Sequence, residues 1–149
     1  VDVLTAEEMY RATVAAFEEA DGAVMCAAVA DYTPAEVATE KLKKSDADLQ
    51  IPLKRTRDIA AELGRTKGQK ILVGFAMETQ NEAANATQKL TKKNFDFIVL
   101  NSLREAGAGF RGDTNRVTLI DSTSQEELPL LTKREVAERI AQKIEQLLH

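Results

Sequence analysis

The stretch from Ala23 to Ala30, AVMCAAVA, is apolar without a break and stops at Asp31-Tyr32. An uninterrupted apolar run of this length reads as a strand covered on both faces, the kind found inside parallel sheets. Lys70–Ala76 (KILVGFA) reads as a second buried strand. Phe95–Leu100 (FDFIVL) reads as a third, ending at Asn101, and Arg116–Ile120 as a further one. Between them lie helical periodicities. Thr5-Ala6-Glu7-Glu8 forms a capping box, and the helix it opens runs to about Ala20, with Met9, Ala12, Ala16 and Phe17 on one face. Asp58–Leu63 is a short helix closed by Gly64, and Asn81–Lys93 is a longer one. Thr132–Leu148 is amphipathic, with Val136, Ile140, Ile144 and Leu147 as its apolar stripe. Strands alternating with helices predict an α/β domain: a Rossmann-like, mostly parallel sheet with helices on both faces.

Other segments are less regular. Val1–Leu4 reads as the tail of a strand, so the chain opens without the complete strand–helix unit and glycine-rich turn that usually begin a doubly wound domain. We therefore expect a domain lacking its N-terminal βα portion, with residues 1–149 as one unit. Asp31–Asp48 is polar and reads as a mobile loop with at most one helical turn. Leu49, Ile51 and Leu53 alternate with polar residues, the mark of a short half-exposed strand. Ala106–Asp113 (AGAGFRGD) lacks the Walker lysine and the dinucleotide spacing, and reads as a mobile loop.

Composition narrows the class. With 149 residues, 44% of them hydrophobic and 30% charged, the chain suits one soluble globular domain. A net charge of −4 argues against a dedicated nucleic-acid binder. No apolar stretch approaches the roughly 20 residues that span a bilayer. One cysteine, Cys26, excludes an internal disulfide and is compatible with a reducing cytosol. The only histidine is the terminal His149, which argues against a histidine triad or a zinc site.

Candidate chemistry gathers at the strand ends, where open α/β sheets form their ligand crevice. Asp31 reads equally as a turn aspartate or as a ligand contact. Lys41, Lys43 and Lys44 follow it and would ordinarily be a solvated face. Folded back over Asp31, they suit an anionic ligand such as a nucleotide triphosphate with its metal. Lys89 and Lys93 sit four apart and share a helix face, which serves either solubility or a phosphate held between them. Phe75 is core or pocket wall, Asn101 a ligand contact or a turn residue, and Cys26 an inert core residue.

These residues carry a resemblance. AAVADY at Ala27–Tyr32, EKLKK at Glu40–Lys44, VGFAMET at Val73–Thr79, QKLTKKNFDFIVLN at Gln88–Asn101 and GAGFRGDTNRVTLI at Gly107–Ile120 are similar, in order and spacing, to the phosphopantothenate–cysteine ligase domain of bacterial coenzyme A biosynthesis bifunctional proteins. The resemblance implies CTP-dependent ligation of 4′-phosphopantothenate and cysteine through an acyl-cytidylate, with magnesium as cofactor. It implies nucleotide contacts from Met25, Cys26, Ala27, Asp31, Lys41, Thr56, Arg57, Asp58, Ile59, Phe75, Lys89 and Lys93. Lys41 would be the catalytic cation and Asp31 the magnesium contact. Also implied are a cytoplasmic homodimer, paired through a protruding loop and strand near Asp46–Leu53, and fusion to or association with a flavin-dependent decarboxylase. Two departures stand out. The family's front segment, with its glycine-rich turn and catalytic asparagine, has no counterpart here, and Thr56-Arg57-Asp58-Ile59 replaces a common asparagine-proline-aspartate-isoleucine. Two rival readings are a nucleotide-binding or dimerisation fragment without catalysis and a Rossmann-like NAD(P)-dependent reductase, against which the missing glycine fingerprint counts.

Overall fold

The computed structural model describes residues 1–43, 48–78, 81–102 and 112–148. Its centre is a five-stranded sheet in the order β1 (Gly22–Met25), β4 (Ile71–Glu78), β5 (Phe97–Ser102), β7 (Val117–Asp121), β8 (Gln125–Glu127). β1, β4 and β5 run parallel, while β7 and β8 are antiparallel additions at the far side. Two small ladders stand apart: β2 (Tyr32–Pro34) pairs with β3 (Leu53–Arg55), and β6 (Thr114–Asn115) with β9 (Leu131–Thr132). The mixed α/β class read from the sequence is the one observed. The strand at 117–121 turns the other way from its neighbours.

Side-chain alternation along the strands divides the core into two layers. Val73, Phe97, Val99, Val117 and Leu119 face α4 (Lys133–Leu148), which contributes Val136 and Ile140. Ala76, Ile98, Leu100 and Ile120 face Ala86 and Leu90 of α3 (Glu82–Lys92). Leu72 packs under Leu63 of α2 (Ile59–Thr66) and Phe17 of α1 (Ala6–Glu19). Helices thus cover both faces. The half-buried Asp96 ties the parallel strands to α2's end: it accepts from the Nζ of the buried Lys67 at 2.7 Å and from the Leu72 amide at 2.6 Å.

The capping box at Thr5 forms in full, with Glu8 receiving the Leu4 and Thr5 amides. Those amides hold the Glu8 carboxyl below its ordinary range. Gly64 does not close α2. It lies inside the helix, where a Cβ would stand 1.9 Å from the Lys93 carbonyl oxygen, so the glycine is there to let α2 and the end of α3 touch backbone to backbone. Asn94, at φ 52°, completes that contact by donating to the Gly64 carbonyl at 2.8 Å.

Several expectations change. Val1–Leu4 is not a strand. β1 is four residues long and half-buried, because among the described strands it pairs with β4 alone; residues 26–30 leave the sheet. Cys26 is exposed, not core. In α1 only Phe17 is buried, and Ala16 faces solvent. Leu147 at the end of α4 is also exposed. Residues 31–43 include the strand β2 where a loop was expected, and Leu49, Ile51 and Leu53 are all exposed rather than alternating. Residues 44–47, among them Lys44, most of the glycine-rich stretch 106–113 and His149 lie outside the described residues.

Candidate functional site

The β2–β3 ladder assembles the site. Its register, Tyr32 opposite Arg55, brings the two chain segments together so that the Thr56 amide donates to the Asp31 carbonyl at 3.0 Å. The Thr56 hydroxyl donates to the Ala30 carbonyl at 2.7 Å. Residues 56–59 are thereby laid across the carboxyl end of β1 and into the first turn of α2. Asp58 caps that helix, accepting from the Ala61 amide at 3.0 Å.

A cavity of 410 Å³ opens there. Met25, Ala27, Asp31, Thr56, Arg57, Asp58, Ile59, Phe75, Lys89 and Lys93 all line it. These are the residues singled out in the sequence, save two. Cys26 instead lines a neighbouring cavity of 460 Å³ between the sheet and α4, together with Asn101. Asn101 is buried, and its Oδ1 has no hydrogen-bond partner. Lys41 and Lys43 are exposed in the segment between β2 and β3, and Lys41 does not line the first cavity. Gly74 leaves room for the Phe95 ring: a Cβ there would stand 2.5 Å from it.

Each cation on the wall has a partner from another element. Lys89 Nζ lies 2.6 Å from Glu78 Oε1, at the end of β4. Lys93 Nζ lies 3.1 Å from Asp58 Oδ1. The Arg57 guanidinium stacks on the Tyr10 ring, 4.6 Å from its centroid, with its Nε 3.4 Å from Glu7 Oε2. The Arg55 guanidinium lies 5.8 Å from the centre of the Tyr32 ring. The Glu78 carboxyl is held below the usual range, chiefly by the hydrogen bond from Lys89; burial opposes this and Asn85 adds to it. With Arg55, Arg57, Lys89 and Lys93 against Asp31 and Asp58, the lining carries an excess of positive charge suited to an anion.

Sequence reading missed Tyr32, Arg55 and Phe95 on the wall, and Glu78 behind Lys89. Arg55 adjoins the TRDI motif and was within reach. Glu78 carries no local signal, because its partner is eleven residues away on the next helix. Among the described residues no three His, Cys, Asp or Glu side chains stand together as a metal cage. Nor is any described helix long and apolar enough to cross a membrane.

The family of DNA/pantothenate metabolism flavoprotein C-terminal domains matches residues 1–148. The chain belongs to that family. It is 43% identical to the coenzyme A biosynthesis bifunctional protein CoaBC of Bacillus subtilis, over 97% of this chain and 36% of that protein. It is 49% identical to a cysteine/cysteine sulfinic acid decarboxylase from an unidentified prokaryote, over 100% of this chain and 42% of the relative. The chain thus spans less than half the length of these curated relatives. Among solved structures, the C-terminal domain of a CoaBC superposes with a TM-score of 0.80 at 39% identity, covering 99% of this chain and 65% of that one. A Cab2 mutant in complex with phosphopantothenate-cysteine shares the fold, with a TM-score of 0.60 at 18% identity over 83% of this chain and 44% of that one.

Proposed function

We propose that this chain is the nucleotide-handling part of a phosphopantothenate–cysteine ligase in coenzyme A biosynthesis, with CTP as co-substrate. The observation that carries the reading is the 410 Å³ cavity, which gathers the expected nucleotide contacts from β1, the 56–59 segment, β4 and α3 in one cation-rich wall. Family membership and the likeness to CoaBC support it.

In the first step a carboxylate oxygen of 4′-phosphopantothenate bonds to the α-phosphorus of CTP. The bond from that phosphorus to the bridging oxygen breaks, and pyrophosphate leaves with the electron pair. The cysteine nitrogen then bonds to the acyl carbon and loses a proton, and CMP departs. Both steps need charge neutralised on phosphate and the reactants aligned. Lys89, Lys93 and Arg57 answer the outer phosphates. Phe75 and the backbone at Met25–Ala27 form the wall against the nucleoside. Lys41 supplies the cation for the departing charge when its segment closes over the cavity. Asp31 would be the residue that holds magnesium, which would supply positive charge against the phosphates.

The chain works in the cytoplasm as a homodimer, its partner meeting the exposed apolar arm at Leu49, Ile51 and Leu53. In the intact protein a flavin-dependent decarboxylase domain accompanies it. A second reading is a nucleotide-binding module without turnover of its own, since the part of this chain that aligns with CoaBC covers 36% of that protein. This chain is expected to bind CTP, and the intact protein to release pyrophosphate on adding CTP, phosphopantothenate and cysteine, which is the test. CTP binding without release leaves the module reading in its place, and the absence of both overturns the proposal.

A further inference from the structure

Glu78 is the last residue of β4 and does not line the cavity, yet its carboxylate governs a residue that does. Oε1 accepts from Lys89 Nζ at 2.6 Å, and Oε2 accepts from Asn85 Nδ2 at 3.1 Å. Asn85 and Lys89 are one turn apart on α3, so a single carboxylate bridges the strand end to two positions of that helix face. The Glu78 side chain is 15% exposed against 45% for Lys89. The carboxylate is the anchored partner, and the lysine reaches from it into the open.

We propose that Glu78 is the positioning residue of the nucleotide site, fixing the Lys89 ammonium at the cavity wall in the place where it meets the outer phosphates. This role rests on the nucleotide reading of the cavity.

Three physical points lead there. An ammonium has three donors; Glu78 takes one, and the others remain for a phosphate oxygen. A carboxylate this enclosed is costly to leave unpaired, so an arriving phosphate shares Lys89 and does not pull it away. A lysine already held in one rotamer gives up less freedom on binding than one free in solvent. An opposing effect exists, since removing the Glu78 charge lessens repulsion of an anion. At about 0.15 M salt, with a screening length of about 8 Å, that gain is reduced at the half-exposed lysine. The loss of positioning is then the larger effect.

The test is a double-mutant cycle on the 149-residue chain: wild type, Glu78→Gln, Lys89→Gln and the pair, each titrated calorimetrically with CTP and with CMP in magnesium and about 0.15 M salt. Glu78→Gln should weaken CTP about three- to tenfold, the scale of one long side chain's lost order, and leave CMP unchanged. In the Lys89→Gln background the same change should be silent. Where the glutamine variant loses its fold, Glu78→Asp, which withdraws the charge by one methylene, should give a smaller loss of the same kind. Unchanged or tighter CTP binding overturns the proposal. So does equal weakening of CTP and CMP, or an effect that persists without Lys89, for either marks a merely structural carboxylate. If Lys89→Gln discriminates CTP from CMP while Glu78→Gln does nothing, this role alone fails. If wild type binds neither nucleotide, the nucleotide reading fails and takes this role with it.

Discussion

Lys89 of α3 and Lys93 at its C-cap both line the cavity, and each is tied to a carboxylate of a different element. Two like charges one turn apart cost a helix a few tenths of a kcal/mol, an expense that the flanking Glu78 and Asp58 largely offset. On the proposed nucleotide reading, replacing Lys93 by glutamine would remove a charge-assisted phosphate contact worth about 1.5–3 kcal/mol. CTP should weaken about 10- to 150-fold, with CMP scarcely affected, in a titration with both; equal weakening would make the lysine a solvated face. Lys41 is a different case. It stands on an exposed segment away from the cavity, so ground-state binding should not depend on it. Lys41→Ala should leave the CTP affinity within about threefold and lower kcat by about two orders of magnitude, measured as pyrophosphate release in a protein with ligase activity. A kcat near the parent's would remove Lys41 from the mechanism.

Among the elements, long strands and helices were legible where burial dictates the pattern. β4, β5, α3 and α4 fall within a residue or two of their expected ends, because Val73, Phe97, Val99 and Leu90 must face a core. The illegible elements are those that burial does not dictate. β8 is Gln125-Glu126-Glu127, wholly polar and exposed, held by backbone pairing to β7 and by ion pairs such as Arg139 with Glu126. β2 includes Pro34 and offers no alternation, yet its pairing with β3 is what brings Asp31 to Thr56. Gly64 looked like a helix end because a glycine stop and a glycine at a close helix contact read alike in one sequence. Much of the candidate cavity wall was thus visible as motifs, and the ladder that assembles it was not.

The β7–β8 turn joins to α4 through Asp121, which accepts from Lys143 Nζ at 2.7 Å and from the amides and hydroxyls of Thr123 and Ser124. Burial pushes this carboxyl up, but the bonds from Lys143, Ser124 and Thr123 outweigh it and hold its pKa well below the usual range. A carboxyl depressed in the folded state stabilises above its unfolded pKa of about 3.9, and that stability fades as pH falls through the folded value. Asp121→Asn should therefore lower Tm at pH 7 and shrink the difference from wild type as pH falls below about 4. Thermal melts across that range decide it. A Tm gap that stays constant with pH would show that the contact does not act through charge.

At the scale of the whole molecule, the residues leading into β3 expose Leu49 at 70% and Ile51 at 59%, and Leu53 at the start of β3 is 59% exposed. Exposed large apolar side chains close together in sequence are what a proposed dimer surface requires. A Leu49→Asp, Ile51→Asp double variant should sediment as a monomer where wild type sediments as a dimer. Wild type that is monomeric, or a variant that stays dimeric, would place the partner surface elsewhere.

The cavity beside Lys89 and Lys93 is proposed to receive a nucleoside triphosphate. Calorimetric titration of the 149-residue chain with CTP in magnesium, and in parallel with NADPH, addresses it most directly. Saturable CTP binding at one site per chain, with no binding of NADPH, is the expected result. Binding of NADPH without CTP would contradict it.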